Sequence, residues 1–266
     1  MGRASSVVGV VMAPAVRLRS AVALLGGFPV LAGADLEVQP GEVVLLQGAN
    51  GAGKTSLLRT CAGLLAVVSG SAVVLGCDLT LDRRAVRRRV GLLGHATALY
   101  DDLTVEDNVR FAVRAAGAPS AAVEPALIRL GLGGRLRSVG ASRLSAGQRR
   151  RTALAVLVAR QPELWLLDEP HAGLDAEHRD LLDDLIRDAV AGGAAVLMAS
   201  HELDRASALA HRTVTMAGGQ VLPARPAPRS GLPTPATDPP GAAADQPAGI
   251  SPPHDGFEVL EVAHVA

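Results

Sequence analysis

A short glycine-rich segment places the strongest constraint on the fold of this chain. Residues 48–55 match the pattern G-x-x-x-x-G-K-[ST] in full. An apolar run over residues 43–46 precedes the segment, and a helical pattern over residues 55–65 follows it. A strand that turns through glycines into a helix is the setting in which this pattern binds phosphate, whereas a chance glycine-rich turn needs neither neighbour. The sequence therefore predicts an α/β fold with a phosphate-binding loop.

The predicted loop would hold the phosphates of a nucleoside triphosphate. Its backbone N–H groups form a nest for phosphate oxygens, and the N-terminus of the next helix adds a favourable dipole. Lys54 is expected to contact the β- and γ-phosphates, and the Thr55 hydroxyl to bind Mg²⁺. Lys54 is the one lysine among 26 basic residues, so the chain keeps a compact ammonium where it otherwise uses arginine. The predicted binding residues here are Gly48, Ala49, Asn50, Gly51, Ala52, Gly53, Lys54, Thr55 and Ser56.

Composition argues against several other classes of protein. The formal net charge is zero, which provides no uniform basic field, and aromatic residues make up 2% of the chain. We therefore expect no nucleic-acid partner. Two cysteines cannot form a dense disulfide framework, which favours a reduced, intracellular setting. No apolar run reaches the roughly 18 residues of a membrane-spanning helix.

Residues 16–222 alternate apolar strand-like runs with amphipathic helical segments. We expect one α/β domain over this range, with a parallel sheet, crossover helices and a mainly helical subdomain over about 96–160. Predicted strands cover residues 42–47, 90–94, Leu164–Asp168 and 194–200, and predicted helices cover 148–160 and Ala176–Ala191. Residues 1–15 are interpreted as a flexible leader. Residues 223–266 are interpreted as a Pro/Ala-rich disordered tail, because residues 223–257 hold 10 of the 17 prolines.

Two acids end the third predicted strand. A buried parallel strand delivers its carboxyl end to the ligand crevice, so Asp168 is expected to hold Mg²⁺ directly or through water. Glu169 is expected to orient and activate an attacking water. Taken alone, such acids are as often solvated loop residues or a helix cap, and the phosphate loop upstream favours the functional interpretation.

A second motif resembles a known family. Leu144-Ser145-Ala146-Gly147-Gln148 is similar to the signature motif of ABC-transporter ATPases, with Ala146 at the first variable glycine. Ala172-Gly173-Leu174-Asp175 resembles the D-loop of that family, and His201 resembles its switch histidine. The resemblance covers essentially residues 16–222 and rests on five motifs in the family's order.

The resemblance implies a P-loop NTPase fold of the ABC ATPase type that binds ATP and Mg²⁺. Two cassettes, as a homodimer or with a second ATPase subunit, would pair head to tail around two ATP molecules. Ser145, Gly147, Gln148 and Asp175 would then contact nucleotide, and His201 would steady the transition state beside Glu169 and Lys54. A separate transmembrane permease would carry the cargo, with this chain in the cytoplasm, peripheral on the inner face of the cell membrane.

One departure from the family pattern narrows the resemblance. The family usually carries a glutamine after the strand at residues 90–94, and this chain has His95. The imidazole could bond the attacking water or the γ-phosphate. A Gly-His pair at this place is similar to ATPase subunits of bacterial haem exporters used in cytochrome c maturation. An ATPase for another cargo competes with that interpretation. A soluble ABC protein and a small-molecule kinase are further alternatives.

The remaining notable residues are one aromatic, two arginine clusters and one histidine. Phe28, with Leu25, is a candidate to stack on adenine, although a core phenylalanine is the commoner case. Arg149–Arg151 are expected to face solvent or a dimer partner. His171 has no assigned role. A second arginine cluster is interpreted as a solvated turn and comprises Arg83, Arg84, Arg87, Arg88 and Arg89.

Overall fold

The computed structural model describes residues 13–223. Residues 1–12 and 224–266 lie outside the described part, and most of the predicted leader and tail falls there. Within residues 13–223, no helix combines the length and hydrophobicity needed to cross a bilayer.

The strands form two sheets. They are β1 (Val16–Leu25), β2 (Phe28–Val38), β3 (Val43–Gln47), β4 (Val67–Val74), β5 (Cys77–Asp78), β6 (Val90–Leu93), β7 (Leu164–Asp168), β8 (Ala195–Ala199), β9 (Arg212–Ala217) and β10 (Gln220–Val221). An antiparallel sheet has the order β2-β1-β4-β5. The second sheet has the order β10-β9-β3-β8-β7-β6 and is parallel except for its edge strand β10.

Seven helices connect and cover the strands in the described residues. They are α1 (Lys54–Cys61), α2 (Leu79–Asp82), α3 (Val105–Ala116), α4 (Val123–Arg129), α5 (Ala146–Arg160), α6 (Ala176–Ala191) and α7 (Leu203–Leu209). Three 3₁₀ turns lie between α3 and α5, at Ser120–Ala122, Gly134–Ser138 and Ala141–Arg143. Residues 104–160 contribute no strand to either sheet, and their one β-bridge joins Thr104 to Gly140.

The four predicted strands and the helix Ala176–Ala191 are confirmed, with strand ends shifted by one residue or less. The helix predicted over 55–65 ends at Cys61, because Gly63 takes a left-handed turn with its Cα against the Arg83 carbonyl. The helix predicted from residue 148 begins at Ala146, because the Ser145 side chain caps it. The prediction of a parallel sheet alone was incomplete. It missed the antiparallel sheet, whose strand β1 loses its alternation at a bulge near Ser20.

Hydrophobic side chains pack on both faces of the parallel sheet. In β3, Val44 and Leu46 face the antiparallel sheet and α1, whereas Val43 and Leu45 join a second cluster with α3, α4, α5 and α6. Leucine, valine and alanine dominate both clusters, as the composition predicts. Because both faces of the sheet are covered, β3, β7 and β8 are buried almost throughout. Their polar residues lie only at the strand ends.

The carboxyl ends of four parallel strands meet along one edge of the sheet. The phosphate loop follows β3, and Glu169 follows β7. His95 lies two residues beyond β6, and His201 two residues beyond β8. Strand order therefore brings together side chains that are far apart in the sequence.

Candidate active site

Residues 48–53 form a tight loop between β3 and α1. Gly48, Gly51 and Gly53 have φ values of 145°, 79° and 104°, which L side chains rarely adopt. A Cβ on Gly48 would lie 2.3 Å from the Met216 carbonyl oxygen, and a Cβ on Gly53 would lie 2.8 Å from that of Val30. Helix α1 begins without a side-chain cap, so the N–H groups of its first turn are available to an anion.

The predicted metal ligands lie next to each other. The Thr55 hydroxyl donates to Asp168 Oδ2 at 2.8 Å, although the residues are 113 positions apart. A hydroxyl and a carboxylate oxygen, with phosphate and water completing the shell, are the donors that Mg²⁺ prefers. The Lys54 side chain is buried, and its Nζ donates to the carbonyls of Gly48 (2.7 Å) and Ala49 (3.1 Å). The residues present therefore fit Mg²⁺ with a triphosphate.

Glu169 lies directly after Asp168 and contacts the end of β8 and the segment that follows it. Its N–H donates to the Ala199 carbonyl at 2.9 Å, and its Oε2 accepts from the His201 N–H at 3.0 Å. The His201 ring nitrogen Nε2 is 3.5 Å from Glu169 Oε1. Glu169 has a φ of 49°, an uncommon left-handed conformation for a residue other than glycine. Its carboxylate is thus held beside an imidazole at the strand ends.

These groups surround one cavity of about 520 Å³. The site residues predicted from the sequence that line this cavity are Asn50, Gly51, Ala52, Gly53, Lys54, Thr55, Ser56, His95, Asp168, Glu169 and His201. Gly48 and Ala49 lie beneath it and present their carbonyls to Lys54. Asp168, Glu169, His95 and His201 therefore face the same space as the phosphate loop.

Four other predicted residues lie outside this cavity. Ser145 caps α5, where its Oγ accepts from the Gln148 N–H at 3.2 Å and its own N–H donates to Gln148 Oε1 at 2.9 Å. A Cβ on Gly147 would lie 3.4 Å from the Gly173 carbonyl oxygen, so the signature segment neighbours residues 172–175. Asp175 caps α6, and its bonds from the N–H and the ring of His178 lower its pKa.

Sequence reasoning missed the opposite wall of the cavity. Pro29 and Val30 of β2, with Gly218 and Gly219 between β9 and β10, also line it. The glycine pair was a usable signal, because Gly219 has a φ of 77° and a Cβ there would lie 3.0 Å from the Ala32 nitrogen and the Val30 oxygen. Phe28, next to Pro29, is 76% exposed and is therefore not a core residue.

The three arginines after the signature segment do not share one environment. Arg150 is buried, and its guanidinium donates to backbone carbonyls at the ends of β6 and β7, which corrects the prediction that it faces solvent or a partner. Burial lowers the pKa of Arg150. Arg149 binds Asp101 and the Ala141 carbonyl, and Arg151 binds the Leu130 carbonyl and His178. A run of charges therefore contains one buried member.

The second arginine cluster is solvated, and three of its members also bond to neighbouring segments. Arg83 donates to the Leu64 carbonyl, Arg87 to the Gly63 carbonyl, and Arg89 makes two hydrogen bonds to Glu163. These contacts join residues 83–89 to the segment after α1 and to Glu163 before β7. Arg84, Arg87 and Arg88 are exposed and neither Arg83 nor Arg89 is buried, which agrees with the prediction of a solvated turn.

His171 lies in a buried polar network. Its Nε2 is 2.8 Å from Asp183 Oδ1, and Arg205 donates to Asp183 Oδ2. The network joins the segment after Glu169 to α6 and α7. Its contacts are structural, since His171 does not line the cavity.

A glycine loop before an uncapped helix, with a hydroxyl–carboxylate pair and a second acid next to that carboxylate, defines a P-loop nucleoside triphosphatase. The family model described as ABC transporter matches residues 31–172. The chain belongs to the ABC transporter family, as one of its ATPase subunits.

Curated relatives carry a common name. The cytochrome c biogenesis ATP-binding export protein CcmA of Bordetella bronchiseptica is 44% identical over 175 residues, covering 63% of this chain and 75% of the relative. The CcmA protein of Cupriavidus pinatubonensis is 41% identical over 201 residues, covering 73% of this chain and 87% of the relative.

Solved structures agree on the fold. The ATP-binding subunit of an ABC transporter is 27% identical with a TM-score of 0.71, over 77% of this chain and 87% of that one. The ATP-binding cassette MJ0796, as a post-hydrolysis dimer bound to ADP and Pi, has a TM-score of 0.70 at 23% identity, over 77% of this chain and 96% of that one.

Proposed function

We propose that this chain hydrolyses Mg²⁺-ATP to drive a separate membrane permease that exports haem for cytochrome c biogenesis. The observation that carries the ATPase chemistry is the meeting of Thr55, Asp168, Glu169 and His201 around the cavity of the phosphate loop. Residues 16–222 would form the ATPase domain, with the helical subdomain over about 96–160.

Binding would use the loop and the start of α1. The N–H groups of residues 48–56 would surround the phosphates, and the Lys54 ammonium would move from the carbonyls of Gly48 and Ala49 to phosphate oxygens. Thr55 and Asp168 would hold Mg²⁺, which when bound neutralises charge on the phosphates.

Hydrolysis would use Glu169 as the general base. The oxygen of a water molecule bonds to the γ-phosphorus while the bond to the β-phosphate oxygen breaks, and the Glu169 carboxylate accepts the proton. His201 would stabilise charge on the transferred phosphoryl group. His95, which lines the same cavity, would bond the water or the γ-phosphate.

A head-to-tail dimer would complete the site. Ser145, Gly147, Gln148 and Asp175 lie outside the cavity of their own chain, as expected of groups that serve the ATP of a partner. The partner would be a second copy or a paired ATPase subunit. A pair of α5 N-termini would then face the two γ-phosphates.

The haem assignment depends on the relatives. Both CcmA proteins are named for cytochrome c biogenesis and export, and they match this chain at 44% and 41% identity. His95 in place of the usual glutamine agrees with that branch. Through its permease, the chain would lie in the cytoplasm on the inner face of the cell membrane, with no nucleic-acid partner.

A matched pair of substitutions tests the chemistry. Glu169→Gln should bind ATP with wild-type affinity but hydrolyse it about 10²-fold more slowly, because the general base is lost. Glu163→Gln is the control, since Glu163 precedes the opposite end of β7 and pairs with Arg89. Both should be compared with wild type in the presence of the permease. Equal turnover in Glu169→Gln and wild type would refute the proposed role.

A deletion strain tests the cargo. Loss of c-type cytochromes, restored by the wild-type chain but not by Glu169→Gln, is the expected result. A strain with normal c-type cytochromes would remove the haem assignment and leave an ABC ATPase for another cargo. Co-sedimentation with ribosomes rather than with membranes would instead favour a soluble ABC protein.

A further inference from the structure

The Arg150 guanidinium lies beneath the edge of the parallel sheet, and 5% of the residue is exposed. Its Nη1 donates to the Gly94 carbonyl at 2.6 Å, and its Nη2 donates to the Glu169 carbonyl at 2.6 Å. Two longer bonds, each of 3.4 Å, reach the carbonyls of Asp168 and Pro170. One side chain thus joins the segment before His95 to the segment that carries both active-site acids.

The Glu169 backbone requires such a contact. Its left-handed conformation is uncommon for a residue with a Cβ and persists only where surrounding bonds hold it. The Glu169 N–H donates to the Ala199 carbonyl, and its carboxylate accepts from the His201 N–H. The remaining backbone group, the Glu169 carbonyl, accepts from the Arg150 guanidinium at 2.6 Å and from the Ala172 N–H at 3.2 Å. The bond from Arg150 is the shorter of the two and has a charged donor, so its loss would weaken the hold on the peptide after Glu169 and on the carboxylate beside it.

Arg150 also belongs to the helix that begins at the signature segment. It lies five residues after the cap Ser145. The position of Glu169 and of the segment before His95 is therefore tied to the helix whose N-terminus would face a partner's γ-phosphate.

We propose that Arg150 is a positioning residue that sets the Glu169 carboxylate and the His95 segment in their working geometry and couples both to α5. This inference rests on the proposed function of Glu169. Arg150 touches neither the cavity of the phosphate loop nor any group that would react, so it acts through the backbone of its neighbours.

The chemistry of the contact calls for arginine. A planar guanidinium presents five donors in a fixed fork and can serve four carbonyls from two strands at once. A lysine at the same place retains the charge but has three donors on one nitrogen, which are too few for the four carbonyls that Arg150 serves. Arg150 also lines a groove with His95, Ala172 and Gly173, so the space that Arg150→Ala would empty borders this groove.

The test compares Arg150→Lys and Arg150→Gln with the control Arg149→Gln in the full chain with its permease. Arg149 is also on α5 and also donates to a carbonyl, but its contacts are at Asp101 and Ala141. For both Arg150 variants we expect kcat to fall by about 10²-fold with the KM for ATP and the Kd of ATP unchanged, because a misplaced base affects chemistry and not binding. The control should remain close to wild type.

Chemical rescue gives a readout that a purely structural role would not produce. In Arg150→Ala, free guanidinium, at concentrations that leave the wild type unaffected, should restore part of kcat, whereas ethylammonium should not. Wild-type kcat in Arg150→Lys would overturn the inference. Unfolding or loss of ATP binding in all three variants would do the same, because it would make Arg150 a structural residue.

The outcome also separates this inference from the one it rests on. If Glu169→Gln hydrolyses ATP normally, the proposed function fails. If Glu169→Gln is inactive while Arg150→Lys keeps wild-type kcat, only the role of Arg150 fails.

Discussion

The buried carboxylate of Asp183 should be one of the most sensitive positions for stability outside the active site. Its two oxygens contact His171 Nε2 and the Arg205 guanidinium, and Asp183 and His171 are both buried. We predict that Asp183→Ala lowers the free energy of unfolding by about 3 kcal/mol, near the lower end of the range for breaking a buried pair.

The magnitude follows from what each partner loses. His171 Nδ1 has no hydrogen-bond partner among the described residues, so removal of Asp183 would leave both ring nitrogens unsatisfied, at a cost of about 1–3 kcal/mol. Arg205 keeps its 2.8 Å bond to Asp180 and stays partly exposed. Loss of its bond to Asp183 should therefore lower the free energy of unfolding by only about 1 kcal/mol, because solvent screens the charge. Together these losses amount to about 3 kcal/mol.

Urea unfolding monitored by tryptophan fluorescence measures this change. Trp165 is the one tryptophan of the chain and is 4% exposed, so its emission should report unfolding of the parallel sheet. Asp184→Ala is the matched control, since Asp184 is the next residue of α6 and pairs with Arg187 at 2.7 Å, with the two side chains 64% and 58% exposed. Both variants gain the same helix propensity, so the difference between them isolates the buried contacts.

The control should change stability by about 0–1 kcal/mol, as exposed ion pairs do. A difference between the two variants below about 1 kcal/mol, with equal urea dependence, would refute the argument that an orphaned buried imidazole dominates.

Four further outcomes follow from contacts described above. A thiol reagent at neutral pH should modify Cys77 but not Cys61 in the folded chain, because burial raises the pKa of Cys61 to about 12; modification of Cys61 in a folded Cys77→Ser variant would contradict this. Hydrogen bonds from Arg89 lower the pKa of Glu163, so its stabilisation is present at neutral pH and is lost as pH falls through the lowered pKa. Glu163→Gln should therefore destabilise by roughly 0.5 kcal/mol at neutral pH, since the pair is solvent-screened, and by nothing in acid; a pH-independent difference in urea midpoints would be inconsistent. Lys54→Arg should lower ATP turnover despite its conserved charge, because a planar fork cannot replace an ammonium between two loop carbonyls; normal turnover would show that lysine is not required. Gly48→Ala should reduce ATP binding measured by calorimetry, because its Cβ would lie 2.3 Å from the Met216 oxygen, and unchanged binding would mean that the loop can move aside.

The parallel sheet was predictable because its strands are buried on both faces and read as apolar runs. The antiparallel sheet was not, because its pattern is interrupted. Val16 and Leu18 are buried, and after the bulge at Ser20 the buried positions resume at Ala21 and Ala23, so no single alternation covers the strand. A glycine at position 70 was the one available sign of the strand pairing, because a Cβ added there would lie 2.2 Å from the Ser20 oxygen on the facing strand.

The cavity residues were predictable because each motif residue follows a parallel strand and such strands end at one edge. Arg150 was missed because a run of three arginines is usually solvated. Helical spacing held the information, since Arg150, Leu154 and Leu157 lie at i, i+4 and i+7 and share the buried face of α5. The wall formed by Pro29, Val30 and Gly219 depends on strand pairing between distant segments, which local patterns do not encode.

Helix α5 is anchored to the outer strand of the parallel sheet at both of its ends. Arg150 binds the Gly94 carbonyl after β6, and Arg160 donates to the Val90 carbonyl at the beginning of β6. The ten residue steps from Arg150 to Arg160 span about 15 Å, so a tilt of about 8° about one anchor would displace the other by about 2 Å and break its hydrogen bond. These two bonds therefore hold α5 and β6 together as one rigid unit. A displacement of the signature segment would either move the edge strand β6 with it or break one of these hydrogen bonds.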